Sequence, residues 1–479
     1  MLFTVVCGLL ASAGIADGGE APTAAGRYDA EWKSLDSRPT PRWWTDAKFG
    51  IFVHWGPYAV PAFAPTDEKS VSECYAEQYW GKLIAGRPAF CRHHAEKYGT
   101  MPYGNFAASF TAENFDAAAW ARLFRKAGAK YAVLTSKHHD GYALWPSPES
   151  PYWNSAAIGP GRDLCGEFAD AMRGEGLRCG FYFSLLEYGN PLYPGNWLRN
   201  PAVRPMAMKD WARRVNLPQM KELAEKYLAD VIWPDGEWDH PDGDQLSTEF
   251  LAWLYNESSV RDTVVVNDRW GKGCRGRHGG HFTTEYGSVD GSDGGIGDVR
   301  HPWEECRGMG RSFGFNRFET AEDYMSAEAC LELLVSTVSR GGNLLLNVGP
   351  TADGRIPAVM QDRLLDMGRW LEVNGEAIYG TGRWSGGKRS EGESRVYCTA
   401  KGDAVYVIAF GNRPARRRIG IGCAVRGVTV LGFPGEVRWS LSDGTLTVDV
   451  PDSAARAAIG PCVIKVECET DSAVKRGET

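Results

Sequence analysis

Between residues 49 and 371 the chain keeps returning to one pattern: a short apolar run, a polar or aromatic exit, then a stretch with apolar residues on one helical face. The apolar runs read as buried strands at residues 49–53, 131–134, 177–183, 231–233, 263–266 and 343–350, with 281–285 and 303–309 as weaker members. Between them lie helical faces. Phe115, Ala119, Leu123 and Ala127 stop at Gly128, and Leu164, Phe168, Ala171 and Met172 stop at Gly174. Met220, Leu223, Ala224, Tyr227 and Leu228 form a third face, residues 326–339 a fourth, and Met360, Leu364, Met367 and Leu371 the last. Strands that are apolar throughout, rather than alternating, belong to a parallel sheet covered by helices. About eight such units predict an α/β fold, a closed (β/α)8 barrel of the TIM type over residues 28–383. No glycine-rich dinucleotide fingerprint opens the first unit, which disfavours an open doubly wound sheet.

Beyond Trp384 the period changes to two. Residues 396–398, 404–408, 427–430 and 446–450 are short strand-like runs between Gly, Asp and Pro turns. They predict an antiparallel β-sandwich over residues 384–470, followed by a polar tail at 471–479. At the other end, residues 2–10 are apolar and small residues follow, which reads as a secretory leader over residues 1–16. A secreted or periplasmic protein follows from that reading, or a lysosomal one if the source is eukaryotic.

With 43% apolar and 24% charged residues, disorder is excluded, and a net charge of −7 disfavours nucleic acid or an anionic membrane as partner. No run of 18 apolar residues is available to span a membrane. The 12 cysteines are scattered, with no C-x-x-C pair and no zinc spacing. Cys462 and Cys468 share a predicted strand, where six residues span roughly 20 Å, too far for a disulfide. Few or no disulfides are expected, and most cysteines should pack as small apolar residues.

The predicted strand ends collect the chemistry. After Val231-Ile232-Trp233 come Pro234, expected to end the hydrogen-bond ladder, and then Asp235-Gly236-Glu237-Trp238. Carboxylates bracketed by tryptophans suit an enzyme that stacks a sugar and attacks it with an acid group, and they equally suit a charged loop with a packing tryptophan. Asp235 and Glu237 share a face only if Gly236 keeps the chain extended. His54, His138, His139, Arg269 and Glu285 fall at other strand ends, on the catalytic face of such a barrel. His138-His139, with Asp140 or His93-His94, offers metal-ligand residue types. Adjacent strand residues point to opposite sides, however, whereas a strand chelates through i and i+2. Hydrogen bonding to sugar hydroxyls, with Lys137 nearby, and a purely structural role are the other readings. No G-x-S-x-G and no evident cysteine nucleophile is present, so two carboxylates are the best catalytic machinery.

Five segments together, residues 48–56 (KFGIFVHWG), 136–141 (SKHHDG), 233–238 (WPDGEW), 267–271 (NDRWG) and 341–350 (GGNLLLNVGP), resemble the α-L-fucosidases of glycoside hydrolase family 29 over about residues 40–380. The resemblance implies a catalytic (β/α)8-like barrel followed by a β-sandwich, and a retaining hydrolysis of terminal α-L-fucose from a fucosylated oligosaccharide or glycoconjugate. No metal and no cofactor is implied. Asp235 matches the nucleophile. Glu285, in Thr284-Glu285-Tyr286, matches one subgroup's acid/base, with Glu304 as the alternative. His54, His138, His139, Arg269, Trp233 and Glu73 match residues that grip the sugar. One position departs: the family commonly has Trp after the glutamate, and here Cys74 follows Glu73. Other readings are a related glycosidase of different sugar preference and a fucose-binding protein without catalysis.

Overall fold

The computed structural model describes residues 27–68, 70–195, 201–286, 300–384, 386, 395–411, 416–451 and 460–469. The expected leader and polar tail lie outside these residues. Eight parallel strands form one curled sheet: β1 (Phe49–Val53), β2 (Tyr131–Lys137), β3 (Arg178–Ser184), β4 (Val231–Asp235), β5 (Val265–Val266), β6 (Phe282–Glu285), β7 (Trp303–Gly308) and β8 (Asn343–Val348). Their order is β5-β4-β3-β2-β1-β8-β7-β6. The two edges, β5 and β6, meet through a single parallel bridge between Asn267 and His281, so the barrel closes on one rung.

Helices Ala117–Lys126, Leu164–Gly174, Leu217–Lys226, Ser247–Asn256, Ala327–Ser339 and Ala358–Asn374 cover the outside. Three of them start where the sequence supplies a cap: Asp116, Asp163 and Ser326 each accept a hydrogen bond from the amide three residues on. The alternation of strand and helix is incomplete, because no helix separates β5 from β6. Along each strand the side chains alternate between two cores. Leu134, Phe181, Ile232 and Leu346 face the helices and pack with Phe168, Leu223 and Leu334. Phe52, Val133, Tyr182, Trp233, Cys306 and Leu345 fill the barrel interior with Trp44 and Tyr131.

Strand β4 does not stop before Pro234. It runs on to Asp235, with Pro234 in register opposite Phe183. The neighbour β5 pairs only with Val231 and Ile232, so the ladder on that side has already ended when the proline arrives.

The sandwich comprises β9 (Gly382–Arg383), β10 (Val396–Lys401), β11 (Ala404–Ala409), β12 (Arg416–Gly420), β13 (Val425–Val430), β14 (Arg438–Ser442), β15 (Thr445–Asp449) and β16 (Cys462–Cys468). Five strands form one antiparallel sheet, β13-β16-β11-β10-β9, and three form another, β12-β15-β14. Strands β12 and β14 are not evident from the sequence, because β12 opens with three arginines and β14 is exposed along its whole length. Among the described cysteines, Cys423 and Cys468 form a disulfide that closes a separation of 45 residues. Cys462 packs in the sandwich core instead, at the far end of the same strand from Cys468. Cys74, Cys165, Cys179, Cys274, Cys306 and Cys330 are buried, as expected for small apolar side chains.

Candidate active site

The barrel interior also sets the site. Four interior residues near strand C-terminal ends are followed, two positions on, by a polar one: Phe52 by His54, Tyr182 by Ser184, Trp233 by Asp235, Leu345 by Asn347. A cavity of about 210 Å³ opens there. Phe52, His54, His138, His139, Tyr182, Trp233, Asp235, Arg269, Glu285, Cys306 and Phe313 form its body, with Ser72, Tyr75, Glu77, Gln78, Trp238 and Arg275 completing the lining. A larger cleft of about 560 Å³ lies on the barrel's flank around Trp120, Phe315 and Pro357, away from the strand-end chemistry.

Arg269 organises the carboxylates. Its Nη1 donates to Asp235 Oδ1 at 2.6 Å, and its Nη2 donates to Glu285 Oε2 at 3.3 Å. Its Nε donates to Thr283 Oγ1 at 3.0 Å, and that hydroxyl donates to Asp268 Oδ1 at 2.7 Å. The guanidinium lies 4.6 Å from the Trp233 ring centre, so the fork is fixed from three sides. Burial pushes the Asp235 carboxyl up, but the charge of Arg269, the neighbouring His139 ring and the hydrogen bonds from Arg269 and Tyr182 outweigh it, and the net direction is down. Tyr182 OH supplies the second bond, 2.8 Å to Oδ2. Tyr75 OH donates to Glu285 Oε1 at 2.8 Å, and the Glu285 side chain keeps 25% exposure.

The hydrogen-bond partners also decide the histidine tautomers. Asn347 Nδ2 is committed to Phe313 O at 2.7 Å, so Asn347 Oδ1 must accept from His54 Nδ1–H at 2.7 Å. Ser184 Oγ donates to Leu186 O at 2.6 Å, so it accepts from His139 Nδ1–H, also at 2.6 Å. Both rings therefore carry their lone pair on Nε2. Burial holds His54 down to about 3 and lowers His138 and His139 as well, so all three are neutral near pH 7. His139 Nε2 stands 3.6 Å from Asp235 Oδ2. Two acceptors facing each other at that distance make a place for a hydroxyl to donate. His138 stacks on Tyr182, with ring centroids 5.4 Å apart and planes 9° apart.

Glu73 is not in the cavity wall. It pairs with Lys82 at 3.1 Å and Arg87 at 3.2 Å. Four residues on, Glu77 lines the cavity; its Oε2 accepts from Gly314 N at 2.8 Å and Ser312 Oγ at 3.1 Å. Burial pushes its carboxyl up to about 7. The residue after Glu77 is Gln78, which also lines the cavity. The sequence holds this signal as a second glutamate before aromatics, Glu77-Gln78-Tyr79-Trp80, four residues beyond Glu73 and separated from it by the extended Tyr75. Tyr75, Tyr182 and Phe313 were also missed, since no polar cluster marked them.

Glu304 sits at the other end of the barrel. It pairs in register with Asn343, the first residue of β8, and its carboxylate accepts from Tyr131 OH at 2.5 Å and Trp233 Nε1 at 2.9 Å. Glu237 is buried but does not line the cavity: between it and Asp235, Gly236 adopts φ +83°, which breaks the extended course of the strand, and an added Cβ there would lie 2.8 Å from Leu186 Cβ. Lys137 points outward to Glu187 at 2.7 Å and Gln219 at 2.9 Å, and Asp140 accepts from Tyr103 OH at 2.8 Å. His93 stacks on Phe63, and His94 bonds Tyr79 and Met101. Among the described residues no group of three His, Cys, Asp or Glu side chains is placed to hold a metal ion.

Comparison with known proteins gives a family to this geometry. A family model described as alpha-L-fucosidase matches residues 18–376. The tissue alpha-L-fucosidase of Homo sapiens is 41% identical over 431 residues, covering 89% of this chain and 88% of that protein. The alpha-L-fucosidase of Dictyostelium discoideum is 43% identical over 366 residues, 75% of each chain. A crystal structure of Thermotoga maritima alpha-fucosidase in complex with fucose superimposes with a TM-score of 0.79 at 35% identity, covering 92% of this chain and 100% of that one. The fold, the pocket at the strand ends and these matches agree: the chain belongs to the α-L-fucosidase family and is a glycoside hydrolase.

Proposed function

We propose that the chain is a retaining, exo-acting α-L-fucosidase in which Asp235 is the nucleophile and Glu285 the acid/base. Asp235 attacks the anomeric carbon of a terminal α-L-fucose, and the bond to the leaving oxygen breaks as Glu285 delivers its proton there. Glu285 then takes a proton from water, which attacks the same carbon and releases Asp235. The observation that carries this reading is Arg269, whose two terminal nitrogens hold the two carboxylates side by side. That arrangement suits the carboxyl separation of about 5–5.5 Å used by retaining enzymes more than the wider gap that admits a water. Asp235, held ionised, suits the nucleophile's role. Glu304 is fully engaged in the barrel floor, which favours Glu285 over it.

His54, His138, His139, Trp233 and Arg269 grip the sugar, and Glu77 takes the part first assigned to Glu73. His54 and His139 present lone pairs to fucose hydroxyls, and Phe52, Trp233 and Phe313 offer apolar surface to its methyl side. The substrate is a fucosylated oligosaccharide or glycoconjugate. A disulfide in the sandwich supports an oxidising, secreted setting. No helix among the described residues is long and apolar enough to cross a membrane.

The test is Asp235→Gly on an aryl α-L-fucoside. Loss of nearly all turnover with partial recovery by added azide is expected; wild-type turnover would refute the assignment.

A further inference from the structure

We infer that Trp238 and Arg275 form the subsite for the leaving group, built for a second sugar rather than a small aglycone; the inference rests on the fucosidase reading of the cavity. At about 210 Å³ the cavity is sized for one sugar ring, so whatever fucose is attached to must lie at the mouth. Two side chains at that mouth are placed to meet it. Trp238 follows β4, which ends in Asp235, and Arg275 lies on the segment after β5 that also carries Arg269, whose guanidinium joins Asp235 to Glu285.

Trp238 lines the cavity, yet 44% of its surface stays open. It packs almost at right angles to His139, with ring centroids 5.4 Å apart, which anchors the indole against the sugar-gripping wall. A partly open, anchored aromatic at the rim of a polar cavity gives a rigid platform for the apolar face of a sugar ring. Arg275 is exposed and also lines the cavity. Its Nε donates to Thr283 O at 3.4 Å, on the strand that ends in Glu285, so the remaining guanidinium nitrogens can donate to oxygens of a sugar leaving past the acid/base. Platform and donor thus sit beside the path that the leaving oxygen must take.

The experiment compares two substrates that share the fucosyl group: α-L-fucosyl fluoride, whose leaving group is a single atom, and the α-L-fucosyl disaccharide that the wild-type enzyme cleaves best. For Trp238→Ala the loss in kcat/KM on the disaccharide should exceed the loss on the fluoride roughly tenfold, mainly through KM, and Trp238→Phe should recover most of it. Arg275→Ala should act in the same direction. Equal losses on both substrates, or no extra loss on the disaccharide, would overturn the proposal. A wild-type enzyme that hydrolyses neither substrate would instead overturn the fucosidase reading on which it rests.

Discussion

At Arg269 one side chain decides how two acids behave. Its fork lies against both Asp235 and Glu285, and only the planar guanidinium can serve two carboxylates at once while resting on Trp233. If Glu285 is the proton donor, Glu285→Ala should depend on the leaving group. The variant should retain much more activity on aryl fucosides with acidic phenols than on natural linkages, a difference on the order of a hundredfold. Steady-state kinetics on both substrate types decides it, and equal loss would move the role elsewhere. Glu77 carries a pH prediction. Burial holds its folded pKa at about 7 against an ordinary 4.5, so folding takes up a proton in that window and stability falls as pH rises through it. Glu77→Gln removes the uptake and can keep the bonds from Gly314 and Ser312. Relative to wild type it should therefore gain on the order of 2 kcal/mol between pH 5 and pH 8, read from urea melts. An unchanged difference at the two pH values would show that the buried acid does not titrate with folding.

Strands place these residues through their period of two. His54, Ser184, Asp235 and Asn347 reach the site because each follows an interior side chain by two positions. This part was legible: once Trp233 is read as buried, Asp235 shares its face. Glu237 was not legible, since the outcome depended on the backbone of Gly236. In the sandwich the element that matters is β16, which pairs with both β11 and β13 and ends at Cys468. Its disulfide to Cys423 closes a loop long enough to contribute about 4 kcal/mol. Replacing both cysteines by serine should lower the thermal midpoint by several degrees and leave kcat/KM on an aryl fucoside within about twofold. No change in midpoint would mean that the bond does not restrain the unfolded chain. The sequence reading passed over Cys423 because its distance from Cys468 is set by sheet pairing, which residue spacing does not reveal.

Across the whole molecule, the sandwich keeps a core of its own between its sheets and packs one face of β11 into the barrel's outer core. Ala404, Tyr406 and Ile408 of β11 join Leu331 and Trp370 of the barrel's outer helices. Arg395 binds Glu328 and Glu332 at 2.8 Å each, and Trp370 Nε1 donates to Pro461 O at 2.9 Å. A chain cut at residue 383 would expose that face, and it should aggregate on expression or melt well below the full-length protein, as size-exclusion chromatography and calorimetry would show. Undiminished stability would mean the sandwich is a separate appendage. The amino-acid sequence by itself determined the parallel α/β barrel, the change of period at the sandwich, and the family, because apolar periodicity and local motifs are properties of neighbouring residues. Only the tertiary structure decided which glutamate stands in the cavity wall, that Glu304 belongs to the floor, and that the barrel closes on one rung. Those outcomes depend on register and on contacts between residues tens to hundreds of positions apart, and the linear order of side chains carries no distance for such pairs.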